Sequence, residues 1–411
     1  MKIGFYGLSH LGLTYLSATS YKGFNTVGCD EISILEKIKS NNYVKEPNVF
    51  EIIKRNKKSI FFSENIQDLN TCNIIFFSFD TPIQPDGKSK DVFIKNKLIK
   101  LLKILDKNKI LVILSQVKPG FLDKIKWNNN SLFYMVETLI FGNALRRAIN
   151  PERIIIGTKY KNKNLRILIK FLKKFTKKIV ITNYISAEFT KICINIFLIS
   201  SIFTSNYLSS ISKIIGANWT DICRCLKLDK RIGKHAYLRP SIGLSGTNLL
   251  RDLKIVSDLA KKKSLPSELS DYWLKKSLDQ SWTIREFKRI VKNSKKYNCL
   301  VLGLSYKENT NSILNSASIS FLKTAESLDN CKFSCYDPSV KKFKSKNSRI
   351  IKNINFFKFK KNFKNILFIM TPWQQFFNLK FAFVKKFDFI FDPYAIISLN
   401  KSKYKNYISL Y

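Results

Sequence analysis

The stretch Lys2-Ile3-Gly4-Phe5-Tyr6-Gly7-Leu8-Ser9-His10-Leu11-Gly12 at the start of the chain decides the fold. Its first five residues form an apolar run typical of a buried strand, and a glycine-containing turn then leads into a helical pattern. The turn has the spacing GxGxxG, with Ser9 at the second glycine position. Such a turn lets the backbone approach a pyrophosphate at the N-terminus of the following helix. The pattern predicts a dinucleotide site formed by Gly7, Ser9, His10, Leu11 and Gly12.

A carboxylate at the end of the second predicted strand indicates which dinucleotide binds. Asp30 follows the apolar run Thr26–Cys29 and stands 18 residues after Gly12. A carboxylate at this place accepts hydrogen bonds from a ribose 2′-hydroxyl and repels a 2′-phosphate. We therefore expect the cofactor to be NAD rather than NADP.

Strand patterns alternate with helical patterns on both sides of a helical middle. The apolar runs that predict buried strands are Lys2–Tyr6, Thr26–Cys29, Asn73–Phe79, Ile110–Leu114, Leu132–Val136, Arg153–Ile156, Cys299–Leu304, Lys332–Tyr336, Ile366–Met370 and Phe387–Phe391. From Ser186 to about Leu274 only helical periodicity is seen. The predicted fold class is α/β, with two Rossmann-like parallel-sheet domains joined by a central all-helical segment. The predicted domain boundaries are 1–184, 185–290 and 291–411.

The charge of the chain suggests a polyanionic partner, but its distribution does not. The 411 residues include 72 Lys and Arg against 29 Asp and Glu, a net charge of +43. Such an excess is typical of proteins that bind nucleic acid or anionic membranes. However, 45% of the residues are hydrophobic, and lysine is spread along the whole chain. We interpret the charge as solvated surface and expect neither nucleic acid nor a membrane as a partner.

Cysteine and histidine usage favours a reduced, metal-free protein. The eight cysteines are scattered and form no CxxC pair, and there are only two histidines. Neither a disulfide framework nor a Cys/His metal site is therefore expected. The first residues show no signal-peptide pattern, and the most apolar stretch, Ile192–Phe203, is too short to span a bilayer. We predict a cytoplasmic protein.

Ordered motifs along nearly the whole chain resemble those of the UDP-glucose/GDP-mannose dehydrogenase family. Beyond the dinucleotide turn, the segments similar to family motifs are 46–49 (EPGL), 79–82 (GTP), 114–120 (STVPxG), 136–142 (PEFLREG), 187–195 (AExxKxxxN), 229–233 (DxRIG) and 303–310 (GxxFKxxT). The resemblance implies oxidation of the C6 alcohol of a nucleotide sugar, with a UDP-sugar most expected, through an aldehyde to a carboxylate and with NAD as the acceptor. It also implies that the C-terminal domain holds the nucleotide and that a long central helix builds a homodimer.

The catalytic residues that the resemblance implies are Lys191, Asn195, Asp252 and Glu137, together with Asn248 at the position of the family's nucleophile. Lys191 and Asn195 stand at i and i+4, so one helix face presents a cation and a carboxamide that suit a developing oxyanion. Asp252 corresponds to a carboxylate that positions a water or a base. Glu137 corresponds to a glutamate implicated in substrate contact and thioester hydrolysis.

Further binding residues follow from the same resemblance. Around the cofactor they are Thr81, Pro82, Ser115 and Gln116. Around the substrate, besides Glu137, Lys191 and Asn195, they are Thr138, Leu139, Arg231, Tyr237, Arg239, Gly243 and Lys307. Arg231 is expected to reach in from the partner subunit.

The chain departs from the family at the nucleophile. The family pattern GFGGSCxPKD corresponds to residues 243–252, where Asn248 occupies the cysteine position. A thiolate traps the aldehyde for the second oxidation, and a carboxamide cannot. Thr247 is a poorly activated oxygen nucleophile, and Cys193 is placed on roughly the opposite face of the helix from Lys191 and Asn195.

Other departures accompany it. Gln116 replaces a threonine, Phe141 replaces a second glutamate, and Leu314 replaces an arginine. Two hypotheses remain. The protein is either a dehydrogenase that stops at the aldehyde or reaches the acid without a cysteine adduct, or a catalytically impaired homologue that binds NAD and nucleotide sugar.

Overall fold

The computed structural model describes residues 1–41, 43, 46–83, 91–128, 130–244, 246, 248–279, 281–343, 345–397, 404 and 406–410. The chain divides into two compact units, and the division falls within one long helix. The first unit comprises the described residues up to Ile194, and the second comprises those from Asn195 onward.

The first unit is an eight-stranded sheet covered by helices. Its strands are β1 (Lys2–Tyr6), β2 (Asn25–Cys29), β3 (Ile60–Ser63), β4 (Ile74–Phe77), β5 (Ile110–Ile113), β6 (Leu132–Met135), β7 (Ile154–Gly157) and β8 (Ile179–Thr182). Its helices are α1 (His10–Tyr21), α2 (Ile32–Lys39), α3 (Val49–Arg55), α4 (Asp91–Ile104), α5 (Ala144–Ile149) and α6 (Lys163–Leu172).

The strand order β3-β2-β1-β4-β5-β6-β7-β8 places the dinucleotide turn at the middle of the sheet. The first six of these strands are parallel, whereas β7 runs antiparallel to β6 and parallel to β8. Strands β1, β4, β5 and β6 are buried almost throughout, because helices cover both faces. In an open sheet of this kind the strand order reverses beside β1, and ligands bind there at the carboxyl ends of the strands.

Helix α7 (Tyr184–Ile214) runs from the first unit into the second. Its length and mean hydropathy of 1.5 also fit a membrane span. Length and composition alone do not separate a span from a core helix, however, and α7 carries Glu188, Lys191 and Asn195, whose side chains all bond to other parts of the protein. These polar contacts tie α7 to the rest of the protein, while only 33% of its most apolar 18-residue window is buried.

The second unit continues with helices and ends in a six-stranded sheet. Its further helices are α8 (Trp219–Leu228), α9 (Asn248–Lys262), α10 (Glu268–Leu278), α11 (Trp282–Ile290), α12 (Ala317–Ala325) and α13 (Phe381–Val384). Its strands are β9 (Tyr297–Leu302), β10 (Cys331–Tyr336), β11 (Ser348–Ile350), β12 (Lys364–Ile369), β13 (Phe389–Phe391) and β14 (Tyr407–Ile408). All are parallel, in the order β11-β10-β9-β12-β13-β14.

The predicted fold class is confirmed, since two parallel-sheet domains flank a helical segment. The sequence patterns missed four strands, β3, β8, β11 and β14, which are only partly buried and at most four residues long. The reversed direction of β7 and β8 relative to the first six strands was not expected either. The boundaries 1–184, 185–290 and 291–411 stay a prediction.

Candidate active site

The conformation of the dinucleotide turn depends on two glycines and on the hydrogen bonds of Ser9. Gly7 has φ 97°, in the left-handed region that favours glycine. A Cβ atom on Gly12 would lie 1.8 Å from the carbonyl oxygen of Gly7, so helix α1 packs on this turn only without a side chain. Ser9, which stands at the second glycine position, donates from its hydroxyl to the carbonyl of Ser78 (3.2 Å) and accepts from the N–H of Asp80 (3.0 Å).

Asp30 lies directly after β2 beside this turn. Its carboxylate accepts the N–H of Leu8 at 2.6 Å and that of Glu31 at 2.8 Å, and the residue is 8% exposed. Burial raises the pKa of Asp30, although the two N–H groups oppose the shift. The turn, the N-terminus of α1 and this carboxylate together fit the pyrophosphate and ribose of NAD.

A cavity of about 170 Å³ lies in the first unit between the end of β4 and the segment that follows β5. Thr81 and Gln116 both line it, and the hydroxyl of Thr81 donates to the carbonyl of Gln116 at 2.7 Å. Ser115 is fully buried just before Gln116, and Pro82 is half-buried just after Thr81. The structure therefore brings Thr81 and Gln116 together.

The wall of this cavity is fixed by Glu188 of α7, which the sequence analysis did not single out. The buried carboxylate of Glu188 accepts the N–H of Gly120 at 2.6 Å and that of Leu122 at 2.8 Å. Burial raises the pKa of Glu188 to about 7, although these N–H groups favour the charged form. The glutamate of the AExxK motif was the available signal.

We expect the Glu188→Gln variant to lower the free energy of unfolding by about 1–3 kcal/mol, because an amide leaves one of the two N–H groups unsatisfied. Since the folded-state pKa is raised, the stabilisation by protonated Glu188 is complete below its ordinary pKa and is lost as the pH rises towards 7. The difference between wild type and variant should therefore shrink between pH 5 and pH 8. Urea unfolding at four pH values measures it.

The matched control is Glu64→Gln, the same chemical change at an exposed residue. It should leave both the stability and its pH dependence unchanged. Parallel stability curves for wild type and Glu188→Gln would show that Glu188 does not titrate as described.

Glu137 and Lys191 meet within the first unit. The carboxylate of Glu137 lies 3.5 Å from Nζ of Lys191, and both side chains are largely buried. The other carboxylate oxygen accepts the N–H of Leu139. Between these two residues, the carbonyl of Thr138 accepts a hydrogen bond from Nε of Arg147 at 2.9 Å. The pair combines the ammonium of Lys191 on α7 with the carboxylate of Glu137 on the loop between β6 and α5.

Asn195 and Asp252 meet within the second unit. Nδ2 of Asn195 donates to Oδ2 of Asp252 at 2.5 Å. The other oxygen of Asp252 accepts Nε of Arg251 at 2.8 Å. Asp252 is fully buried and Arg251 is 5% exposed, so the carboxylate is held by a neighbouring cation as well as by the carboxamide. Arg251 was not among the predicted site residues, although it stands at the lysine position of the family pattern.

Asn248, at the cysteine position of that pattern, is the first residue of α9 and is exposed. Thr247, the weak alternative nucleophile, lies outside the described residues. Burial raises the pKa of Cys193 and of Cys223, so these thiols are poor sources of thiolate. Neither of these two thiols is therefore suited to replace a cysteine at position 248.

The remaining predicted substrate residues lie in the second unit, apart from Thr138 and Leu139 of the loop after β6. Arg231 is exposed and pairs with Asp229 through Nη2 at 2.7 Å. Tyr237 is also exposed, Arg239 lies 6.0 Å from the ring of Phe377, and Lys307 lies 5.8 Å from that of Tyr306. Gly243 adopts φ 65°. Contacts of these residues with a substrate stay a prediction.

Three family models match the chain in order. They are the NAD binding domain of the UDP-glucose/GDP-mannose dehydrogenase family over residues 1–176, its central domain over residues 185–276, and its UDP binding domain over residues 300–398. Together they cover most of the sequence.

Similar proteins carry related names. The putative UDP-glucose 6-dehydrogenase YtcA of Bacillus subtilis is 26% identical over 400 residues, which cover 92% of this chain and 90% of that protein. The UDP-glucose 6-dehydrogenase of Rickettsia bellii is 26% identical over 338 residues, 79% of this chain and 78% of that protein. A solved UDP-glucose dehydrogenase from Pyrobaculum islandicum shares the fold with a TM-score of 0.82 at 19% identity, covering 100% of this chain and 97% of that one. The UDP-D-ManNAc dehydrogenase from Pyrococcus horikoshii does so with a TM-score of 0.81 at 19% identity, covering 100% and 99%.

Proposed function

Because this chain belongs to the UDP-glucose/GDP-mannose dehydrogenase family, we propose that it oxidises the C6 alcohol of a UDP-sugar with NAD and releases the aldehyde. The observation that carries the proposal is the pair of polar contacts made by α7. Lys191 contacts Glu137, and one helical turn later Asn195 contacts the buried Asp252. Dehydrogenation of an alcohol needs such groups to remove a proton and to stabilise the oxygen as it becomes negative.

In the proposed mechanism, each residue acts at the C6 oxygen or next to it. The ammonium of Lys191 and the amide of Asn195 stabilise the developing alkoxide, and Asp252 holds the amide and orders the base or water that takes the proton. Bound NAD supplies the hydride acceptor, so one alcohol oxidised yields one aldehyde, one NADH and one proton. The turn from Gly7 to Gly12 and Asp30 would hold that cofactor.

The proposal that oxidation stops at the aldehyde depends on Asn248. The second oxidation requires a nucleophile that adds to the aldehyde and makes a hydride available at C6. A carboxamide does not add in this way, and burial suppresses thiolate formation at Cys193 and Cys223. The product is then a sugar aldehyde rather than a uronic acid.

We expect the purified protein to form one NADH for each nucleotide sugar consumed, and the Asn248→Cys variant to form two. The reason is that the variant restores the thiolate at the start of α9, where the helix N-terminus favours an anion. The measurement counts NADH by absorbance over a panel of UDP- and GDP-sugars supplied in limiting amounts, with the product identified by mass. Asn248→Ser is the matched control and should remain at one.

Two NADH from the wild type would show a second oxidation without cysteine. No turnover with any sugar would contradict the enzymatic proposal and favour a protein that only binds NAD and nucleotide sugar. Asn248 and Leu314, which stand where the family has its nucleophile and a substrate-contacting arginine, are the observations in favour of that alternative. Calorimetry distinguishes it, because binding without turnover is its signature.

We also propose a cytoplasmic homodimer. Apolar side chains are exposed along α7, where Phe197 is 77% and Ile214 is 84% exposed, and a second copy would cover them. Arg231 is exposed on the same unit, so its side chain is accessible to a partner subunit.

A further inference from the structure

His10 lies in the dinucleotide turn, yet its side chain contacts a different part of the first unit. Nε2 of His10 is 3.0 Å from a carboxylate oxygen of Glu46. The imidazole also stacks on the ring of Phe141, with centroids 4.1 Å apart and planes inclined by 26°. The side chain is 13% exposed, so these two contacts enclose most of it.

Glu46 connects the same histidine to the loop between β6 and α5. Its side chain is 1% exposed and accepts the N–H of Gly142 at 2.9 Å and that of Ala144 at 2.7 Å. Burial opposes ionisation, but the bonds from His10, Gly142 and Ala144 outweigh it and lower the pKa of Glu46. A buried carboxylate with three donors fixes the end of the loop firmly.

The loop held in this way, residues 136–143, also carries Glu137. Two contacts hold the first half of the loop. Glu137 pairs with Lys191, and Arg147 donates to the carbonyl of Thr138. At its second half Phe141 and the N–H of Gly142 are held by His10 and Glu46. The two halves therefore depend on separate anchors, and the second anchor begins in the dinucleotide turn.

We propose that His10 is a positioning residue for the nucleotide sugar, acting through Phe141 and Glu46 on the loop that carries Glu137. This inference rests on the proposed function for the identity of the ligand. The pyrophosphate of NAD is expected to meet backbone N–H groups at the start of α1, and these remain when the imidazole is removed. Loss of the ring should thus weaken the sugar site more than the cofactor site.

We expect His10→Ala to weaken UDP-glucose binding about tenfold, the equivalent of about 1.4 kcal/mol, and to change NAD binding less than about threefold. Calorimetric titration of each ligand alone measures both affinities. Phe141→Ala should behave in the same way, since it removes the other half of the stack. His10→Tyr, which keeps an aromatic ring and a donor, should restore affinity for UDP-glucose. Phe61→Ala, at an exposed residue of β3, is the control.

A second readout is independent of any ligand. In His10→Ala, amide exchange at Gly142 and Ala144 should accelerate at least about tenfold, while exchange in β1 stays as in the wild type. Unchanged exchange at both amides would overturn the proposal, and so would equal losses of NAD and UDP-glucose affinity. A wild-type protein that binds no nucleotide sugar would instead contradict the proposed function, and the exchange rates would still decide the role of His10.

Discussion

The Gly12→Ala variant should lose NAD binding by at least about 100-fold, which corresponds to about 2.7 kcal/mol. The added Cβ would lie 1.8 Å from the carbonyl oxygen of Gly7 and 2.7 Å from the hydroxyl of Ser78. The first contact is with backbone and cannot be relieved by a rotamer change, so α1 must move away from β1. The N–H groups that face the pyrophosphate move with it.

Calorimetric titration with NAD, together with circular dichroism, separates loss of the site from loss of the fold. Gly23→Ala is the matched control, because nothing lies within 4 Å of the added atom. Its φ of 84° makes alanine strained by about 1 kcal/mol, so the control shows whether a loss of stability away from the turn affects NAD binding. A folded Gly12→Ala protein that binds NAD as the wild type does would place the cofactor elsewhere.

The GxGxxG spacing predicts that Gly12 packs closely on the turn, and the clash of an added Cβ agrees with it. The fold of the first domain could be predicted because its signals are local in the sequence. A glycine turn, a strand before it and Asp30 after the next strand are local features, and the buried strands that follow are apolar throughout. Local sequence patterns do not predict the strands that are only partly buried. Strand β8 is half-exposed, and the reversal at β7 is set by tertiary packing.

The same limit applies to the candidate site. Lys191 and Asn195 are one turn apart, so their common helix face follows from the sequence. Their partners do not, since Asp252 is 57 residues from Asn195 and only the family resemblance indicated it. The contacts of His10 with Glu46 and Phe141 were not indicated at all, because the three residues are distant in the sequence and no motif states which side chains meet.

The Asp252→Ala variant should combine the largest loss of stability with a large loss of turnover. It removes the carboxylate that Arg251 contacts at 2.8 Å, while the guanidinium stays buried. Removing one partner of a buried ion pair costs about 3–5 kcal/mol. It also removes the acceptor that holds the amide of Asn195, so we expect NADH formation to fall by about 10²–10⁴-fold. Urea unfolding and steady-state rates measure the two effects.

Asp258→Ala is the matched control, since Asp258 lies on the same helix, is exposed and pairs with Lys254 only at 3.7 Å. Its change in stability should stay within about 0.5 kcal/mol. The two roles of Asp252 can then be separated. Replacing Arg251 and Asp252 together by leucine removes both buried charges and should recover much of the stability lost in Asp252→Ala, because apolar groups of similar volume carry no desolvation cost. Turnover should not recover in the double variant, because no carboxylate remains beside Asn195. Recovery of both properties would show that Asp252 serves the fold alone.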